Sequence, residues 1–239
     1  MSSGRSLPLF RNGRIFFNLS FQKCVQSYMS TSTAVGVRMG RPREFDEDAA
    51  IEAAMRVFWE KSYEGASIAD LTEAMGINRS SMYAAFGDKE AVFHRVMERY
   101  RKARMSYIRQ ALAQPSLREV VAGLILGTAE FLSIPGNPRG CLLIQGALAC
   151  STDTEPVKQM MIGWRKSGEA ALKVRLQQAQ SEGELPREIQ PADFARYLSS
   201  VIAGLGIQAA NGATRAELRR VAEIALRCIE TGLRGSAGG

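Results

Sequence analysis

A single histidine in 239 residues leaves little material for acid–base chemistry. His94 stands next to Arg95 on a helix, and a catalytic base there would need a nucleophile or carboxylate partner in a cleft. It therefore reads as a polar surface or phosphate-facing residue, and no catalytic residue is assigned. The four cysteines, Cys24, Cys141, Cys150 and Cys228, are widely separated, which excludes a disulfide framework and the close spacing of a zinc site. On one helix Cys141 and Cys150 would be about 180° and about 13 Å apart, too far to bridge. These thiols and Cys228 read as small buried apolar residues, with thiol sensing as the alternative. No apolar run reaches about 18 residues, so no membrane span is expected. No glycine-rich phosphate loop or metal-ligand spacing is present, so no cofactor and no metal are expected. The expected compartment is the reducing cytoplasm.

Negative charge is missing from the first 43 residues. That stretch holds Arg5, Arg11, Arg14, Lys23, Arg38, Arg41 and Arg43 and no Asp or Glu, which accounts for the whole formal net charge of +7. The remainder is balanced, so bulk charge is no argument for nucleic-acid binding. Residues 1–38 are rich in Ser, Gly, Arg and Phe. Three readings compete: a transit-like segment, a flexible basic arm, or sequence lying upstream of a start at Met39. The last is favoured, and 1–38 is expected to be disordered or non-native. Arg38, Arg41 and Arg43 precede the first helix, where arginines on an arm enter a minor groove; a solvated charged tail is the competing reading.

From Phe45 the apolar spacing is helical nearly throughout, and nothing reads as a strand. Asp46 caps a first helix carrying Ile51, Ala54, Met55 and Phe58. Ser67 to Asp70 is a capping-box pattern that opens a second helix, which Gly76 ends. Asn78 caps a third that ends near Phe86. A fourth helix runs unbroken from Lys89 to about Ala113. Ser116–Glu119 starts a helix to about Ser133, and Pro135–Pro138 is a loop. A short helix follows over Cys141–Cys150, and a long one from Thr154 to Glu182. Pro191 starts a helix to about Asn211, and Thr214–Glu217 caps the last.

Ser67–Phe86 has the form of a helix-turn-helix. Ile68, Leu71 and Met75 supply one apolar face, and Ile77, Met82 and Phe86 the facing one, around the turn at Gly76. At about 100° per residue the opposite face of the third helix centres on Ser80 and Ala84, flanked by Arg79, Ser81 and Tyr83. That small polar face suits a major groove about 12 Å wide, with Arg79 placed as a base reader. Two helix starts, at Ser67-Ile68 and at Asp88-Lys89, offer free amides to phosphates, and Lys89 adds a charge.

Phe45–Tyr100 strongly resembles the N-terminal domain of the TetR/AcrR family of transcriptional regulators. The resemblance rests on Ala53–Phe58, Tyr63–Ile68, Ala74–Tyr83 and Phe86–Phe93. It implies an all-α homodimer: a three-helix DNA-binding domain over 39–100, then a helical effector-binding and dimerisation domain over 101–235. Arg79, Tyr83 and Lys89 match the family pattern. Ser80 replaces a frequent Gly, and Thr72 stands where many members have Ala. Ala84-Ala85 replaces a Tyr or His that commonly touches phosphate, which implies one contact fewer. Pro191–Arg227 resembles the dimerising region more loosely, and the small stretch Ala203–Gly206 reads as an interface feature.

By the same resemblance an inducer pocket lies among the C-terminal helices, with Phe131, Trp164, Tyr197 and Gln208 as candidates. For each, core or dimer interface is favoured over ligand contact, since apolar walls with few polar groups do not choose residues. The leading expectation is a regulator, most simply a repressor, that binds near-palindromic double-stranded operator DNA. A small apolar or amphipathic effector would release it. The competing classes are a helical enzyme and a helical protein–protein module with a vestigial helix-turn-helix. Salt-sensitive, sequence-selective DNA binding separates these from the first.

Overall fold

The computed structural model describes residues 45–148 and 154–235. The basic segment 1–43 lies outside these residues, so the readings of 1–38, Arg41 and Arg43 are not addressed by the structure. The rest folds into one compact unit, and every regular element among the described residues is a helix. In chain order these are α1 (Glu47–Gly65), α2 (Ile68–Met75), α3 (Arg79–Phe86), α4 (Lys89–Arg99), a π-helical turn (Tyr100–Arg104), α5 (Ser106–Leu112), α6 (Leu117–Leu132), α7 (Leu142–Leu148), α8 (Glu155–Ser181), α9 (Pro191–Ala210) and α10 (Arg215–Gly235).

The short helices begin where side chains can absorb their orphan amides. Asp46 accepts from the amides of Asp48 and Ala49, Asn78 from Ser81, and Asp88 from Ala91. Ser67 and Asp70 form a reciprocal capping box, as Ser116 and Glu119 do at α6. Gly76 closes α2 with φ +66°, a left-handed conformation that costs glycine nothing.

Two buried clusters hold these helices together. The first gathers Phe58, Leu71, Met82, Phe86, Phe93 and Met97 from α1–α4. It continues without a seam into Trp59, Tyr100, Phe131, Leu142 and Met161. Two of its aromatic pairs meet edge to face, Phe58 with Phe93 at 4.9 Å and Trp59 with Tyr100 at 5.0 Å, a geometry that ring quadrupoles favour. Phe58 is fully buried, and truncating such a side chain to Ala costs about 3–5 kcal/mol. The second cluster joins α5, α6, α8, α9 and α10 through Leu124, Ile125, Leu176, Leu198 and Leu218. Gly123 permits the close approach of α5, since a Cβ there would stand 2.9 Å from Ala111 Cβ.

Three features depart from the sequence reading. The expected continuous helix from Lys89 to about Ala113 is interrupted after Arg99 by the π-helical turn, closed by Met105 N donating to Tyr100 O at 3.2 Å. No Pro or Gly marks the site; the buried Tyr100, whose hydroxyl lies 3.3 Å from Cys141 Sγ, anchors the wider turn. Second, α1 is kinked at Ser62, which has φ +63° and ψ 176°, a region that is essentially glycine-only. Third, Cys141 is buried as expected, but Cys228 is exposed, because its face of α10 is turned to solvent. Cys150 lies outside the described residues.

Candidate nucleic-acid interface

Helices α2 and α3 turn about Gly76 and bury Leu71 and Met75 on one side, Met82 and Phe86 on the other. That packing leaves the opposite face of α3 in solvent. Arg79, Ser80, Tyr83 and Ala84 are exposed there, Tyr83 to 50%, and Ser81 is half-buried at the edge.

The polar groups around this face are already partly committed. Ser80 Oγ donates to Asn78 Oδ1 at 2.7 Å, so its hydroxyl hydrogen belongs to the cap of α3. Ser67 is more fully occupied. Its N–H and its O–H both donate to Asp70 Oδ2, at 2.8 and 2.7 Å, while Asp70 N donates to Ser67 Oγ at 3.0 Å. Amides without a hydrogen bond among the described residues include those of Ile68 and Ala69 at α2, of Arg79 and Ser80 at α3, and of Lys89 and Glu90 at α4. Each pair points out of a helix start, the arrangement that binds an oxyanion. Ile68's side chain, by contrast, packs against the first core cluster.

Lys89 folds back onto α1. Its Nζ lies 4.5 Å from the centroid of the Tyr63 ring and 3.5 Å from Glu64 O. Partial burial lowers its pKa, against the opposing pull of the Glu64 and Asp70 carboxylates. Sequence reasoning missed Lys61, whose Nζ sits 2.5 Å from Asp70 Oδ1; it lies outside the helix-turn-helix and carries no motif signature. Three ion pairs set α1 against α4: Arg95 with Glu47 at 3.4 Å, and Arg99 with Asp48 at 2.6 Å and Glu52 at 3.1 Å.

The four pocket candidates are not brought together. Phe131 is buried, stacked on Tyr107 at 5.5 Å. Trp164 faces α4, with the Arg101 guanidinium 5.0 Å from its ring and His94 at 6.5 Å. Tyr197 is exposed on α9, stacked on Phe194 at 6.2 Å. Gln208 lines an open groove of about 450 Å³ with Asn211, Glu217 and Val221. A larger groove of about 580 Å³ runs between Trp59 and Ser62 of α1, Arg139 of the α6–α7 loop, Gln145 of α7 and Ile207 of α9. Neither Trp59 nor Ser62 was legible as a groove residue, because their neighbours come from distant parts of the chain. Among the described residues no group of three or more His, Cys, Asp or Glu converges to hold a metal, and no helix is long and apolar enough to cross a membrane.

A capped three-helix reader with an exposed small face, set on an all-helical body, defines a helix-turn-helix DNA-binding regulator. Residues 50–96 match the family model "Bacterial regulatory proteins, tetR family", and residues 117–225 match "Tetracyclin repressor-like, C-terminal domain". The chain is 32% identical to the transcriptional repressor ComR of Escherichia coli K12 over 190 residues, 79% of this chain and 90% of ComR. It resembles the TetR family regulator CifR, solved as a cysteine-substituted form with 26-base-pair operator DNA, at 38% identity and a TM-score of 0.75. That match covers 79% of this chain and 98% of CifR. A regulator from Rhodococcus sp. RHA1 matches at 33% identity and a TM-score of 0.53, over 77% of this chain and 98% of the other. The chain belongs to the TetR family of sequence-specific DNA-binding transcriptional regulators.

Proposed function

We propose that this protein is a cytoplasmic repressor that binds near-palindromic double-stranded operator DNA as a homodimer and is released by a small-molecule effector. The observation that carries the reading is the exposed α3 face, with Arg79, Ser80, Ser81, Tyr83 and Ala84 over two buried anchors, Met82 and Phe86. Arg79 reads base edges in the major groove. The starts of α2 and α4, at Ser67-Ile68 and Lys89, hold phosphates and set register. Arg41 and Arg43 reach the minor groove from the arm. Two relatives support the sign and the partner: ComR is named a repressor, and CifR was solved with operator DNA.

The dimer forms through α9 and α10. Tyr197, Val221 and Ile224 are large, apolar and about half exposed, and open space lies over the missing side chain of Gly204. Solvent-facing apolar residues on two adjacent long helices call for a partner surface. Residues 39–100 form the DNA-reading domain and 101–235 the effector and dimerisation domain. An effector among the C-terminal helices, with Phe131, Trp164, Tyr197 and Gln208 as candidate contacts, biases α1–α4 through the shared core of Trp59, Tyr100 and Phe131.

Fluorescence anisotropy of the full chain on its selected operator, titrated against salt and then against candidate effectors, tests this reading. Affinity that falls steeply with salt, and an effector that raises the apparent Kd of the operator complex, are expected. Binding equal on operator and random duplex would contradict it.

A further inference from the structure

The start of α2 presents a problem that the helix-turn-helix alone does not solve. The free amides of Ile68 and Ala69 attract phosphate, but Asp70 lies within the same turn, and its carboxylate reaches back across the helix mouth. Oδ2 takes both polar hydrogens of Ser67, at 2.8 and 2.7 Å. A bare carboxylate held there satisfies the helix dipole by itself and repels an approaching phosphate. The remaining oxygen, Oδ1, is occupied from outside the motif: Lys61 Nζ, near the C-terminal end of α1, lies 2.5 Å away. Lys61 is about half exposed and Asp70 about a quarter, so the pair is open to solvent beside the start of α2. Lys89 also stands near this carboxylate, without ion-pair contact with it.

We propose that Lys61 is a positioning residue for DNA binding that acts through Asp70: its ammonium neutralises and anchors the capping carboxylate, so that the amides of Ile68 and Ala69 meet a phosphate without a competing negative charge. The hydrogen bonds from Ser67 and Lys61 hold the Asp70 pKa well below the ordinary carboxylate range, in keeping with a carboxylate that stays charged and paired. The proposal rests on DNA binding alone and is independent of the effector and of repression. It separates Lys61 from a lysine that touches phosphate directly. A direct contact releases a counterion, so its loss lowers the salt slope by about 0.9. A lysine that neutralises a protein carboxylate leaves that slope unchanged.

The test uses the full chain on a duplex selected by the wild type, with affinity measured by anisotropy over a range of salt and folding checked by thermal melts. Lys61→Met is expected to weaken binding about five- to tenfold with an unchanged salt slope. Lys61→Arg keeps wild-type affinity. In the double variant K61M/D70N the loss disappears, and affinity returns to within about twofold of D70N alone. The K61M effect is read in both backgrounds, so any loss of stability common to the two cancels. An equal loss in both backgrounds with a slope lower by about one would make Lys61 a direct phosphate ligand and overturn the proposal. Wild-type affinity in K61M would overturn it as well.

Discussion

Lys89 Nζ stands 4.5 Å above the Tyr63 ring, and this contact ties the first turn of α4 to the last turn of α1. In the proposed reading the same residue is the charge offered to a phosphate at the α4 start, which gives it two tasks, holding the domain and meeting the operator.

Lys89→Ala is expected to weaken binding on all sequences and to lower the salt slope by about one. It also removes a cation–π contact worth about 0.5–1 kcal/mol of stability. Partial burial lowers the Lys89 pKa, so its charge is lost as pH rises through a value below that of an ordinary lysine. Operator affinity should therefore decline in the alkaline range earlier than an unperturbed lysine would dictate, and Lys89→Arg should remove that decline. Anisotropy titrations across pH check both.

Arg79 and Ser80 are neighbours on the exposed face and are expected to behave differently. Arg79→Ala should cost about 1–3 kcal/mol of operator affinity and relax preference at particular base pairs. The Ser80 hydroxyl hydrogen is already committed to Asn78 at 2.7 Å, so Ser80→Ala should leave base preference nearly intact. Site selection repeated with each variant reads the difference.

The reader was legible in the sequence because its signals are local. The Ser67 capping box, the Gly76 turn and the apolar spacing of Met82 and Phe86 each depend on residues a few positions apart. The elements that stayed hidden depend on distant partners. The π-helical turn at Tyr100 is anchored by Cys141, 41 residues away, and Trp59 donates to Gly140 O across 81 residues. Lys61 escaped because its role is set by which oxygen of Asp70 the cap leaves open. Phe131, Trp164, Tyr197 and Gln208 are candidates by residue type on C-terminal helices, and helix phase alone does not say which faces converge.

Ser62 stores backbone strain in α1. With φ +63° and ψ 176° it occupies a region costing a non-glycine residue about 1–3 kcal/mol, while glycine adds about 0.5–1 kcal/mol of unfolded-state entropy. Ser62→Gly is therefore expected to stabilise the protein by about 1 kcal/mol net, raising Tm by about 2–4 °C. Calorimetry decides it, and a lower Tm would mean that the Ser62 side chain contributes more than its backbone costs.

Ile224 is 52% exposed on α10, on the surface proposed to meet a second protomer. Ile224→Glu places a charge in that interface and is expected to shift the protein toward monomer with its helicity retained. Sedimentation and circular dichroism read the two quantities. Operator affinity should fall in step with dimer population, since one protomer reads one half-site.

Selection of bound sequences from random duplex DNA by the full-length protein tests the central claim most directly. The expected product is a pair of inverted half-sites whose centres lie about one helical turn or somewhat more apart, bound with a steep salt dependence. Failure to enrich any sequence, or enrichment of a single half-site without a symmetric mate, would contradict a dimeric reader that uses the Arg79–Ala84 face.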